Sequence, residues 1–292
     1  MRTRSTLRAT LLALLAALCM PGGAAEPARH LLDIPYATVD GQSLALDLHL
    51  PAGVTNPPLV VHVHGGAWRA GNKSEYPDFL VASGFAVASV EFRQSTVARF
   101  PANTHDIKAA IRFLRAKQKD YGYRTDRIAI TGTSSGGHLA ALVGTTNGVK
   151  ELEGTAGEHL GESSAVQAIV SWYGASNFTT ILAQSTPFGL NVREPALKLL
   201  LGDLPDKVPE LARLASPVAH AGAGDPPALL LHGNQDRQMP VNQLLELEAA
   251  YRRAGLSIET MIVDGAGHGD KVFQSGEPAE RVVTFLRRTI GR

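Results

Sequence analysis

The chain has 292 residues, 44% of them hydrophobic and 19% charged, with a formal net charge of +1. That length gives one α/β domain ample core to bury. The composition is that of a soluble globular protein, without low-complexity tracts or internal repeats, and it excludes a strongly basic nucleic-acid binder.

Arg2, Arg4 and Arg8 precede an apolar stretch from Ala9 to Met20, and Gly23-Ala24-Ala25 offers small residues before Glu26. This is the pattern of a signal peptide over residues 1–25, with the folded domain at 26–292. Export to a periplasm or beyond is therefore expected. The apolar run is about 12 residues against the roughly 20 a spanning helix needs, so no stable membrane span is expected. An uncleaved interfacial helix and a lipid on Cys19 are alternatives, although Leu18 fits a lipid signal poorly. Removing three arginines and no acid takes the net charge from +1 to −2, so no nucleic-acid partner is expected. Cys19 is the only cysteine. Without residues 1–25 the chain can form no disulfide, thiolate metal site or cysteine nucleophile.

Asp40-Gly41 is a hairpin signal between a strand near Ile34–Thr38 and one in which Leu44, Leu46, Leu48 and Leu50 alternate. Both belong at an antiparallel edge. Continuous apolar runs follow at Leu59–Val63, Phe85–Val90, Ile128–Thr131, Val166–Trp172, Ala228–Leu231 and Ser257–Val263. Such runs suit parallel strands covered on both faces. Helices fall between them. One is capped by Asn103 and carries Ile107, Ile111 and Leu114. A second bears Leu244, Leu247 and Tyr251 and ends at Gly255. A third bears Val282, Phe285 and Leu286. This alternation predicts an α/β fold with a mostly parallel central sheet flanked by helices. Residues 174–222 are too long for a simple crossover and predict a small helical cap insertion, serving as a lid or as surface decoration.

Gly132-Thr133-Ser134-Ser135-Gly136 fits G-x-S-x-G between a strand and a helix. A serine on so sharp a bend crowds its neighbours two residues away, and glycines there relieve the crowding. The bracketing favours Ser134 over Ser135 as nucleophile. No phosphate-loop pattern is present. His64-Gly65-Gly66-Ala67-Trp68 follows a buried strand. Its amides, with that of Ser135, could receive a developing oxyanion, since Gly65 and Gly66 let the backbone approach closely. His62 and His64 lack a third ligand nearby, so neither a metal nor any other cofactor is expected. Asp236, past a strand end, and His268, after the last strand, complete a Ser, Asp, His order. Asp264 and Asp270 lie too close to His268 in sequence to orient its far nitrogen. His138 is expected to pack against the sheet and His232 to be structural, with His105 and His220 weaker candidates as base. Trp68 and Tyr76 are candidates to line a substrate pocket, and Phe178 or Phe188 the lid, with plain packing an equal alternative for each.

Together these residues resemble the esterase and lipase branch of the α/β hydrolases, closest to bacterial hormone-sensitive-lipase-like and feruloyl-esterase-like proteins. The resemblance rests on His64–Trp68, Phe100-Pro101 ahead of a helix with Asp106, Gly132–Ala140, Ser216-Pro217, and the Asp236 and His268 loops. It implies an α/β-hydrolase fold with Ser134 as nucleophile, Asp236 as acid, His268 as base, and Gly66, Ala67 and Ser135 as oxyanion donors. Ala67 departs from the three-glycine form but keeps its N–H. The implied substrates are short acyl or carbohydrate-linked acyl esters. Amide, peptide or arylformamide hydrolysis on the same triad is the alternative, and a non-catalytic binding protein a further one. Oligomeric state is not legible.

Overall fold

The computed structural model describes residues 27–291; the expected signal peptide and Cys19 lie outside them. Within the described residues eight strands form one sheet in the order β1-β2-β4-β3-β5-β6-β7-β8. Strands β1 (Arg29–Val39) and β2 (Gln42–Leu50) pair antiparallel at one edge. Asp40 and Gly41 between them both take positive φ, 51° and 78°, as a tight hairpin with the sheet's own twist requires.

The remaining strands are β3 (Pro58–Val63), β4 (Ala86–Val90), β5 (Arg124–Thr133), β6 (Ala168–Trp172), β7 (Ala228–Gly233) and β8 (Ile258–Val263). All their pairings with one another are parallel, while β2 meets β4 antiparallel. The continuous apolar runs thus lie between two helical layers. Leu59, Val61 and Val63 face one core and Val60 and Val87 the other.

Helices α1 (Asp78–Ala82), α2 (Ala102–Ala116), α3 (Gln118–Tyr121) and α4 (Ser135–Thr145) connect strands β3 to β6, with α5 (Lys150–Glu153) between α4 and β6. The α2 start differs from the sequence expectation. Pro101 occupies the N-cap, with no side-chain cap. Asn103 is fully buried inside the first turn, where its Oδ1 accepts from the Thr104 N–H. The helix starts earlier than an Asn103 cap would set it, because the Pro101 carbonyl already accepts from the His105 N–H at 3.0 Å.

The insertion at 174–222 contains α6 (Ile181–Gln184), α7 (Pro187–Leu201) and α8 (Pro209–Leu214). Helix α7 has conventional punctuation. The Thr186 hydroxyl accepts from Gly189 N–H at 3.0 Å, Pro187 opens the helix, and Gly202 closes it with φ 95°. Its Ala196, Leu197, Leu200 and Leu201 are buried. Helices α9 (Asn242–Arg253) and α10 (Gly276–Thr289) complete the layers. No helix among the described residues is long and apolar enough to cross a membrane.

Buried imidazoles give this fold an acid sensitivity. Burial lowers His62 to about 3, with the His64 charge adding to it, and lowers His138 to about 4 against its hydrogen bond to Ala215. Both stay neutral in the folded chain down to those values, whereas unfolded histidine takes up a proton near pH 6.5. Their contribution is fully present above about pH 6.5 and is lost as pH falls from there toward 4. In mid-window the two together remove about 3 kcal/mol of stability per pH unit. Urea unfolding midpoints measured at intervals from pH 7 to 4.5 should fall accordingly. A flat profile contradicts the neutral buried state of these rings.

Candidate active site

Strand β5 delivers Ser134 to a bend from which α4 departs. Ser134 sits at φ 54°, ψ −120°, a strained conformation for a residue with a side chain. The flanking glycines make the bend possible. A Cβ at Gly132 would stand 2.2 Å from the Gly136 carbonyl oxygen, and one at Gly136 would stand 2.1 Å from the Val63 carbonyl oxygen at the end of β3. The crowding expected from the sequence is therefore backbone against backbone.

The Ser134 hydroxyl lies 2.8 Å from His268 Nε2, and His268 Nδ1 lies 2.6 Å from Asp236 Oδ2. A carboxylate can only accept, so Nδ1 carries the proton and Nε2 is left to accept from Ser134. The structure thus brings Ser134, His268 and Asp236 into one hydrogen-bonded line. The Ser135 hydroxyl is buried and has no partner. Asp264 accepts from Asn234, and Asp270 accepts from the Gly267 N–H; both brace the loops around His268 instead of orienting its ring.

Asp236 is embedded in donors. Its Oδ1 accepts from the Gln238 and Met239 N–H groups at 2.8 and 2.7 Å, and His232 Nε2 stands 3.4 Å from its Oδ2. Burial pushes this carboxyl up. The bonds from His232 and His268, the His268 charge and the Met239 amide outweigh it and hold the carboxyl well below the usual range. His232 also donates to the Met239 carbonyl at 3.0 Å, so it braces the acid loop, a structural role as the sequence suggested. His105 and His220 bond the Glu151 and Leu214 carbonyls, away from Ser134.

The turn after β3 places a second set of groups beside Ser134. Gly66, Ala67 and Trp68 take φ of 112°, 53° and 61° in succession. A Cβ at Gly66 would stand 2.1 Å from the Ala70 carbonyl oxygen, so glycine is required there. Among the described residues no oxygen accepts from the N–H of Gly66, Ala67 or Ser135. Gly65, Gly66, Ala67 and Ser134 line one cavity of about 520 Å³ with Tyr76, Trp172, Tyr173, Gln238 and His268.

Two aromatic expectations need correction. Trp68 does not line this cavity. It is 1% exposed, its Nε1–H donates to His138 Nδ1 at 3.0 Å, and its ring meets Phe178 edge-on. Three successive positive φ values reverse the chain and turn the indole inward. His138, expected to pack against the sheet, turns its ring to the insertion. Its Nε2–H donates to the Ala215 carbonyl at 2.7 Å, and its ring stacks on Phe178, both in the insertion. Buried Phe178 and Phe188, which is exposed beneath the Arg237 guanidinium, stand outside the residues lining the cavity. Tyr76 does line it.

Sequence reasoning missed Tyr173, whose ring meets the His268 ring edge-on at 4.8 Å. Its signal was its place just past the end of a parallel strand, where α/β folds bind ligands. Among the described residues no three His, Cys, Asp or Glu side chains gather in a metal-like cluster. His62 donates or accepts at Thr131, while His64 bonds the Gly65 carbonyl.

A family model described as BD-FAE matches residues 46–251. The chain belongs to the BD-FAE family. The matched span holds the turn after β3, Ser134 and Asp236 and stops short of His268. The chain is 30% identical to a protein named esterase LipQ of Mycobacterium tuberculosis over 94% of its own length and 66% of that protein's. It is 29% identical to esterase LipC of the same organism, covering 79% and 58%. The chain therefore spans about half to two-thirds of these curated relatives. A solved truncated carbohydrate esterase from gut microbiota superposes with TM-score 0.81 at 30% identity, covering 90% of this chain and 97% of that one. A bifunctional GH43-CE protein of Bacteroides eggerthii gives 0.80 at 35%, covering 89% and 35%. These neighbours share the α/β-hydrolase fold.

The steric basis of this BD-FAE site is testable by one methyl group. Gly136→Ala should destabilise by about 3 kcal/mol or more, because the Val63 carbonyl cannot move without breaking β3. Gly161→Ala, whose added Cβ meets nothing within 4 Å, should leave stability unchanged. Equal urea midpoints for the two variants contradict the crowding.

Proposed function

We propose that this chain hydrolyses carboxylic esters through an acyl-enzyme. The observation that carries the reading is the hydrogen-bonded line from Ser134 through His268 to Asp236, at 2.8 and 2.6 Å. Ser134 Oγ attacks the ester carbonyl carbon while His268 Nε2 takes its proton. Asp236 keeps the proton-bearing Nδ1 in place and stabilises the imidazolium that forms. The carbonyl oxygen becomes an oxyanion beside the N–H groups of Gly66, Ala67 and Ser135, which have no other acceptor among the described residues. Collapse expels the alcohol, which receives the proton from His268. Water then enters, gives a proton to His268, and releases the acid and Ser134.

The α4 N-terminus beside Ser134 favours the same negative charge. Tyr173 helps to keep the His268 ring in its plane by edge contact. The wall of the cavity is mixed. Tyr76, Phe79 and Phe273 offer apolar surface, and Glu75, Gln238 and Gln274 offer polar groups. That mixture suits short acyl or carbohydrate-linked acyl esters, and the relatives named as esterases support the class. The pattern in residues 1–25 supports action outside the cytoplasm, in a periplasm or beyond.

Purified Ser134→Ala and His268→Ala should each lose p-nitrophenyl acetate turnover by a factor of about 10⁴ or more while keeping native urea midpoints. A fluorophosphonate probe should add its mass to the peptide carrying Ser134. Normal turnover by folded Ser134→Ala overturns the mechanism, and failure of the probe to label points to a binding protein. Faster cleavage of an aminoacyl anilide or aryl formamide than of an aryl ester reassigns the substrate class.

A further inference from the structure

The insertion carries a buried cation into the site from α7. Arg193 is 3% exposed, yet it forms no ion pair among the described residues. Its Nε is buried without any partner, and its Nη2 donates to the Gln238 carbonyl. Burial lowers the guanidinium to about 10, against the Asp236 charge that holds it up, so it remains charged at neutral pH. Taking an unpaired charge out of water costs several kcal/mol. Such a charge persists where something nearby makes use of it.

Its surroundings indicate what that is. Arg193 lines a small hollow of about 10 Å³ together with Ala67, Ser134, Ser135, Gln238 and Met239. Two of these bear amides placed to receive an oxyanion, and two donate their N–H groups to Asp236 Oδ1. The cation therefore stands between the oxyanion turn and the acid loop. Screened from water, its field acts at a low effective dielectric.

We propose that Arg193 is a positioning residue for this reaction: it clamps the 236–239 loop through the Gln238 carbonyl and holds a fixed positive charge behind the oxyanion turn. The inference rests on the ester-hydrolase reading above. As the ester carbonyl gains negative charge, the guanidinium, which in the resting site forms no ion pair among the described residues and feels only the field of Asp236, gains a second counter-charge. The interaction grows toward the transition state, so it acts on kcat more than on KM. The clamp keeps the two amides of Gln238 and Met239 aimed at Asp236, and through it the imidazole stays in line with Ser134.

The test compares three variants in the full chain: Arg193→Lys keeps charge and donor, Arg193→Gln keeps a donor alone, and Arg193→Met keeps neither. Active sites are counted by fluorophosphonate titration, so that kcat is expressed per competent molecule. Arg193→Gln should lower kcat on p-nitrophenyl acetate about tenfold with KM within about twofold, and Arg193→Lys should stay within about threefold of the parent. Arg193→Met should fall at least as low as Arg193→Gln. If Arg193→Met does not fold, the Lys and Gln pair decides alone. Unchanged kcat per site in Arg193→Gln, a loss confined to KM, or Arg193→Lys no better than Arg193→Gln overturns the proposal. Labelling of Ser134 in every variant keeps the nucleophile assignment standing whichever way Arg193 falls.

Discussion

The architecture of the site depends on one close approach of backbone to backbone. The carbonyl of Val63, at the end of β3, occupies the space that a side chain at residue 136 would need. This proximity lets α4 start directly beside the turn that follows β3. It places the Ser135 amide next to those of Gly66 and Ala67, and it holds Ser134 in a conformation that few residues with side chains adopt. The strain, of the order of 1–3 kcal/mol, is carried by the packed β3, β5 and α4 around it. His268 and Asp236 arrive at a point already set by that contact.

The histidines around this point divide by their partners. His62 and His138 are kept neutral by burial, and each has ring nitrogens committed to a neighbour. The neutral state of His138 is what permits its Nδ1 to accept from Trp68 while Nε2 donates to Ala215. A proton there would oblige Nδ1 to face another donor. His268 is set apart by its carboxylate partner, with Nδ1 2.6 Å from Asp236 Oδ2. Burial alone and burial beside Asp236 thus give imidazoles of opposite use within one domain.

Much of this was legible along the chain. Continuous apolar runs separated by helical periodicity identified the parallel strands, and Asp40-Gly41 identified the hairpin at the edge. Glycines around Ser134 and after His64 marked sharp turns because local sterics decide them. The misreadings concern contacts between distant segments. Trp68 looked like a pocket residue, but its orientation follows from three backbone angles and from a partner 70 positions away. His138 looked like a sheet-packing residue, since nothing in its own helix reveals Ala215. Tyr173 offered only its place just past the end of β6, and Arg193 carries no local pattern that sets it apart from an ordinary surface position. Asn103 has the side chain of a cap, yet it lies one residue inside a helix whose N-cap is Pro101.

The insertion is stitched to both halves of the site. Phe178 and Ala215 grip His138 and Trp68 on the oxyanion side. Thr186 donates to the Arg237 carbonyl at 2.7 Å, and Arg193 donates to the next carbonyl along, on the acid side. Swinging this element away would tear at nucleophile helix and acid loop together. It follows that cap segments cannot be exchanged between relatives as passive modules. A chimera would need its new cap to arrive with matching stitches on both flanks, or it would inherit a serine, an imidazole and a carboxylate no longer on speaking terms.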